Sequence, residues 1–125
     1  LTAEHAGETD KNGQKKILST LEILEPNVIC TETYMLINVF NSKKECINML
    51  KYMKTKMVRG LIAIVTSTQH MAKSNFRFVP LQDFTSKSDI DWSRSIGEID
   101  AQLYEKYGLE RDEIDFIERM IKPME

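Results

Sequence analysis

Residues Asn41–Val65 (NSKKECINMLKYMKTKMVRGLIAIV) constrain this chain more than any other stretch, because a helical period runs through their whole length. Ser42 and Glu45 form a capping box at the start. Cys46, Met49/Leu50, Met53, Met57, Leu61 and Ile64 then recur at steps of three and four, which puts them on one face. Lys44, Asn48, Lys51, Thr55 and Arg59 follow the same rhythm opposite, flanked by Lys54 and Lys56. Gly60 alone interrupts, at roughly 1 kcal/mol relative to alanine. The spacing predicts one long amphipathic helix with an apolar face on a core and a basic face turned outward.

The elements around it predict an α+β fold. Asn12-Gly13, after Asp10-Lys11, marks a turn, with hairpin pairing open to a strand preceding Leu1. Lys16–Thr20 reads as a short strand, and Pro26-Asn27 as a turn. Val28–Phe40 (VICTETYMLINVF) is apolar on both alternating faces, which predicts a central, covered strand. Phe76–Val79 reads as a strand stopped by Pro80, its two phenylalanines pointing the same way. Asp83–Asp91 is a linker, and Trp92 is expected to anchor the tail. Ser95 with Glu98 caps a helix carrying Ile96, Ile99, Leu103 and Tyr107, ended by Gly108. A last helix has Asp112 and Glu113 near its start and Ile114, Ile117, Met120 and Ile121 on its buried side. The expected architecture is a small mixed sheet packed against one long amphipathic helix, with a two-helix C-terminal tail.

With 125 residues, 42% of them hydrophobic and 29% charged, the chain suits a single domain. Residues 1–29 are expected to be peripheral, 30–84 to hold the sheet and long helix, and 85–125 the linker and last helices. The first residue is leucine, so the chain is expected to be cut from a longer one. Cys30 and Cys46 make no disulfide or metal pattern, which points to free thiols and a reducing, cytoplasmic setting. No stretch approaches the ~20 apolar residues of a membrane span.

Charge is unevenly placed. Residues 1–42 carry three bases and six acids, residues 43–77 eight bases and one acid, and residues 81–125 six bases and twelve acids. A solvated helix face mixes Glu with Lys for i,i+4 support, whereas this one has a single Glu in its first turn. The sign bias points to a polyanion, with Lys51, Lys54, Lys56 and Arg59 gripping phosphate. The polar run Thr66–Asn75 and the adjoining Arg77 supply groups suited to base edges: Gln69 and Asn75 for adenine, Lys73 and Arg77 for guanine or phosphate. His70 lies among them. No catalytic constellation accompanies these residues: His5 and His70 have no metal-ligand spacing, and no nucleophile elbow or phosphate-cradling Gly-rich loop occurs. Glu32, Asp10 and Asp83 read as solvated or structural carboxylates.

A series of runs, in order, resembles the C-terminal segment of bacterial type II restriction–modification enzymes that carry an adenine-specific DNA methyltransferase. The first are Cys30-Thr31-Glu32-Thr33-Tyr34, Tyr52 to Arg59, and Thr68-Gln69-His70. Next come Phe78-Val79-Pro80-Leu81-Gln82-Asp83-Phe84, Asp91-Trp92-Ser93 and Leu103-Tyr104-Glu105-Lys106-Tyr107-Gly108-Leu109. Ile114-Asp115-Phe116-Ile117-Glu118 and Met120-Ile121-Lys122-Pro123-Met124 complete the series, which spans about 95 residues from Cys30 onward. The resemblance implies a target-recognition segment that binds double-stranded DNA while other domains of the parent carry out the chemistry. S-adenosylmethionine and Mg would then belong to those domains, since neither an Asn/Asp-Pro-Pro-Tyr/Phe motif nor a paired-acid nuclease motif occurs here. The alternative is a protein-docking module that sets the basic helix face against an acidic partner.

Overall fold

The computed structural model describes residues 10–15, 17–18, 21–26, 38–65 and 76–124, the Val65 side chain excepted. Within these lie four helices: α1 (Lys43–Lys54), α2 (Lys56–Val65), α3 (Ile96–Lys106) and α4 (Arg111–Met120). The expected sheet is not found, and the α+β expectation gives way to a helical fold among the described residues. Ile17 has φ 70°, a left-handed conformation that no strand accommodates. Phe76–Val79 is a turn closed by the Val79 amide on the Phe76 carbonyl at 3.0 Å, so its phenylalanines do not share a face. Asn38–Phe40 is irregular, and the remainder of the expected central strand lies outside the described residues. One isolated parallel bridge, Lys15 with Ile121, ties the N-terminal turn to the end of α4.

The long helix is also corrected, because it breaks at Thr55, whose ψ of 150° is extended. The Thr55 hydroxyl donates to the Tyr52 carbonyl at 2.6 Å and accepts the Val58 amide at 3.3 Å. A hydroxyl that offers the backbone such partners competes with the helical ladder. The first amides of α2 go to Asp100 on α3, whose carboxylate accepts from Lys56 N at 2.8 Å and Met57 N at 3.0 Å. Arg59 Nε, in turn, donates to the carbonyls of Lys54 and Thr55 at 3.2 and 3.3 Å. Three side chains thereby satisfy groups that a helix end would otherwise leave without partners.

This break changes which residues face inward. Asn48, Tyr52 and Met53 are the buried positions of α1, and Thr55, Met57, Val58, Arg59 and Ile62 are buried further on. Asn48, Thr55 and Arg59, assigned by period to the outer face, lie inside. Ile64, assigned to the core face, is exposed. The core continues through Phe84, Ile90 and Trp92 to Ile99, Leu103 and Tyr104 of α3, and to Ile121.

An aromatic cluster joins α1 to the segment before α3. Tyr52, Phe84 and Trp92 have ring centroids 5.1–5.7 Å apart, and Phe40 meets Phe84 edge-on at 5.8 Å. Polar tips fix the loop backbone: Asn48 Nδ2 donates to the Phe84 carbonyl, Tyr52 OH to Pro80 and Trp92 Nε1 to Asp83, all within 2.9 Å. Trp92 anchors the tail, as its sequence position suggests.

The C-terminal helices follow their sequence signals. Ser95 and Glu98 close a reciprocal capping box on α3. Gly108, at φ 62°, ends it with a Schellman motif, its amide on Glu105 and that of Leu109 on Tyr104. Helix α4 starts at a second capping pair, Glu110 with Glu113. It packs on α2 where Gly60 leaves room: a Cβ there would stand 3.9 Å from Cγ1 of both Ile117 and Ile121. That is ordinary van der Waals contact. Gly60→Ala is therefore expected to stabilise the protein by about 0.5–1 kcal/mol, read as a higher urea midpoint. A lower midpoint would show that α2 and α4 sit closer than this spacing.

Candidate polyanion-binding groove

An open groove of about 430 Å³ runs between α1 and the start of α3. Ile47, Leu50, Lys51 and Lys54 form one wall, and Ser93, Arg94, Ser95 and Ile96 the other. Helical spacing puts Lys51 and Lys54 on neighbouring turns of α1. Arg94 precedes the Ser95 cap, so it stands beside the positive end of the α3 dipole. Lys51 Nζ reaches across and donates to the carbonyls of Trp92 at 2.8 Å and Arg94 at 3.3 Å. That tie holds the walls together and fixes where one positive charge stands. Arg94 Nε meets Asp91 at 3.2 Å with both side chains more than half exposed, a pair of little energetic weight.

Only part of the expected basic face is here. Lys51 and Lys54 line the groove, whereas Lys56 points to α4, where its Nζ pairs with Glu118 Oε2 at 2.7 Å. Arg59 is wholly buried, at 0% exposure, which corrects its assignment to an outward, phosphate-gripping face. Arg77 is exposed and lies over the Phe78 ring at 5.2 Å. Gln69, His70, Lys73 and Asn75 lie outside the described residues. Arg94 was not singled out by sequence, since a lone base in an acidic segment gives no pattern. Its position just ahead of a helix cap was the available signal.

A second polar cluster joins α2, α3 and α4. Tyr104 OH donates to Glu118 Oε1 at 2.8 Å, and Glu118 also holds Lys56. Burial pulls the Arg59 guanidinium down to about 10, opposed by the charge of Asp100, and Arg59 stays cationic at neutral pH. Burial likewise raises the Asp100 carboxyl to about 6, against the pull of the Met57 and Lys56 amides and of Arg59. Burial also pushes the Tyr52 hydroxyl up to about 12 and that of Tyr104 upward. For Glu118 burial acts upward too, but hydrogen bonds from Lys56 and Tyr104 prevail and hold it low. Asp100 was the other residue that sequence reasoning passed over. An acid among Ile96, Ile99 and Leu103 on a buried stripe is the signal that marks it.

These shifts give stability a definite pH profile. The folded protein holds the Asp100 proton more tightly than the unfolded chain, so stability grows as pH falls through about 6 and is lost as pH rises through it. The opposite sign applies to carboxyls held low: Asp10 by the Gln14 amide, Asp83 by Thr85, Asp91 by Ser93 and Glu98 by Ser95. Their contribution is present above the ordinary carboxylate range and lost below it. Urea midpoints should therefore be higher at about pH 5 than at about pH 7.5, and lower again near pH 3. The gain between pH 7.5 and 5 should disappear in Asp100→Asn.

Among the described residues, no group of three or more His, Cys, Asp or Glu could hold a metal ion, and no helix is long and apolar enough to cross a membrane. No family model, curated protein or solved structure matches this chain.

Proposed function

We propose that this chain binds double-stranded DNA, as the target-recognition segment of a restriction–modification protein, and that it holds phosphate in the groove between α1 and α3. The observation that carries this reading is the convergence of Lys51, Lys54 and Arg94 from two separate elements on one open groove. Cations of one sign held on a fixed frame suit a phosphate backbone, whose contacts supply affinity without sequence information. The residues that resemble the C-terminal part of such enzymes, and the excess of seven positive charges over residues 43–77, support the same reading. Base reading falls to Gln69, His70, Lys73, Asn75 and Arg77. Methyl transfer from S-adenosylmethionine, and any Mg-dependent cleavage, would belong to other domains of a cytoplasmic parent.

Duplex binding should then weaken steeply with salt. Lys54→Gln with Arg94→Gln should lower the slope of log affinity against log salt by roughly 2, about one for each phosphate no longer neutralised. Arg59→Lys should lower the melting temperature and leave that slope unchanged, because Arg59 meets the protein interior. An unchanged slope in the Lys54/Arg94 variant would remove the groove from the DNA interface. Gln69→Ala and Lys73→Ala should relax sequence preference; equal weakening on all sequences would place that run among the phosphate-binding residues.

A protein-docking role is the second reading. It is favoured by Leu81, 98% exposed, and Phe78, 53% exposed, on the loop after Phe76. Side chains of this size are costly to leave in water and suit a protein surface. Failure to bind duplex at low salt, together with loss of a complex with an acidic protein in the Lys54/Arg94 variant, would support this role over DNA binding.

A further inference from the structure

The sequence of residues 41–65 is patterned for a single helix, yet the chain is bent at Thr55. The bend persists because another helix supplies what the continuous helix would have supplied itself. In an unbroken helix the Lys56 amide would bond to the Tyr52 carbonyl, and the Met57 amide to the Met53 carbonyl. Here both amides go instead to the Asp100 carboxylate, one to each oxygen, at 2.8 and 3.0 Å. The Tyr52 carbonyl is taken by the Thr55 amide and hydroxyl, at 3.1 and 2.6 Å. Two sets of hydrogen bonds thus compete for the same short segment.

We propose that the break at Thr55 is a proton-operated hinge: with Asp100 ionised the segment is bent, and with Asp100 protonated it straightens toward one continuous helix. A neutral carboxyl carries a proton on one oxygen and keeps one good acceptor for two amides. It also ceases to oppose the positive charge of Arg59, whose Nε holds the Lys54 and Thr55 carbonyls on the other side of the bend. The charged and titratable groups that act on Asp100 are Arg59 of α2, Tyr104 of α3 and Glu118 of α4, with the Lys56 ammonium held beside them by Glu118. Of these, Glu118 stays ionised through its bonds to Lys56 and Tyr104, and Arg59 keeps its charge. Asp100 is the member of the cluster that titrates near neutrality, at about 6.

The hinge has a consequence for the groove. Helix α3 carries Asp100 and continues directly from the Ser93–Ser95 wall, while α1 carries the other wall and lies across the bend from α2. Straightening strains the Lys51 bonds to the Trp92 and Arg94 carbonyls, so the groove keeps its rigid frame only while Asp100 is ionised. The hinge follows from the geometry of the bend, whether or not the groove takes DNA.

Carbon and amide NMR shifts of the whole chain, followed from roughly pH 7.5 to 5, test the hinge. The Thr55 Cα shift should move from its extended value toward the helical value, and the Lys56 and Met57 amides should move with it. All three should share the midpoint of the Asp100 carboxyl carbon. In Asp100→Asn, Thr55 should have the helical shift at both pH values. A Thr55 shift that stays extended across the range, or a transition that survives in Asp100→Asn, would overturn the proposal. Should that variant not fold, the wild-type titration decides alone: a Thr55 midpoint different from that of the Asp100 carboxyl overturns it.

Discussion

The structure depends on the meeting of Asp100, Thr55 and Arg59 inside the protein. Asp100 is 2% exposed and Arg59 and Thr55 are fully buried, so none of their polar groups can fall back on water. Each is retained because it completes a helix end: Asp100 the start of α2, Arg59 the end of α1, and Thr55 both. Opposite charges in such a site gain little net stability over an apolar pair of the same shape, but removing one partner is costly. What the cluster fixes is the bend. The bend decides which residues of the 43–65 segment pack against α3 and α4, and which line the groove.

The distribution of positive charge follows from that bend. Along the sequence, the basic segment looks like a single stripe. In the fold its cations part company: Arg59 goes inward, Lys56 goes to Glu118, and Lys51 and Lys54 remain at the groove, where Arg94 joins them from an acidic part of the chain. The excess of one sign is therefore smaller at the surface than in the sequence. The surviving charges stand on a framed site, since Lys51 is tied to the backbone of Trp92 and Arg94 and the Trp92 ring is packed among Tyr52 and Phe84. A rigid frame lowers the ordering cost of holding a ligand.

Local signals were legible in the sequence and long-range ones were not. The caps at Ser42 and Ser95, the glycine at 108 and the turn at Asn12-Gly13 all depend on neighbours a few residues apart, and all appear. The anchoring by Trp92 was legible from its size alone; its partner Tyr52 on α1 was not. The continuous helix failed because its rival hydrogen bonds come from Asp100, 44 residues beyond Lys56, which periodicity cannot see. The strand expectations failed at Ile17-Leu18, the described part of the Lys16–Thr20 run, and at Phe76–Val79, because short apolar runs fit a buried irregular segment as well as a strand. Of the site, Lys51 and Lys54 were legible through helical spacing. Arg94 was not, because only the packing of α1 on α3 brings it to the same groove.

A double-mutant cycle on Asp100 and Arg59 measures the interaction from which the bend, the groove and the hinge all follow. Asp100→Ala and Arg59→Ala should each destabilise the protein, and the double variant should cost less than their sum by about 1–3 kcal/mol, because the second removal relieves the charge left by the first. Costs that simply add, to within about 0.5 kcal/mol, would contradict this account and leave the bend to Thr55 alone.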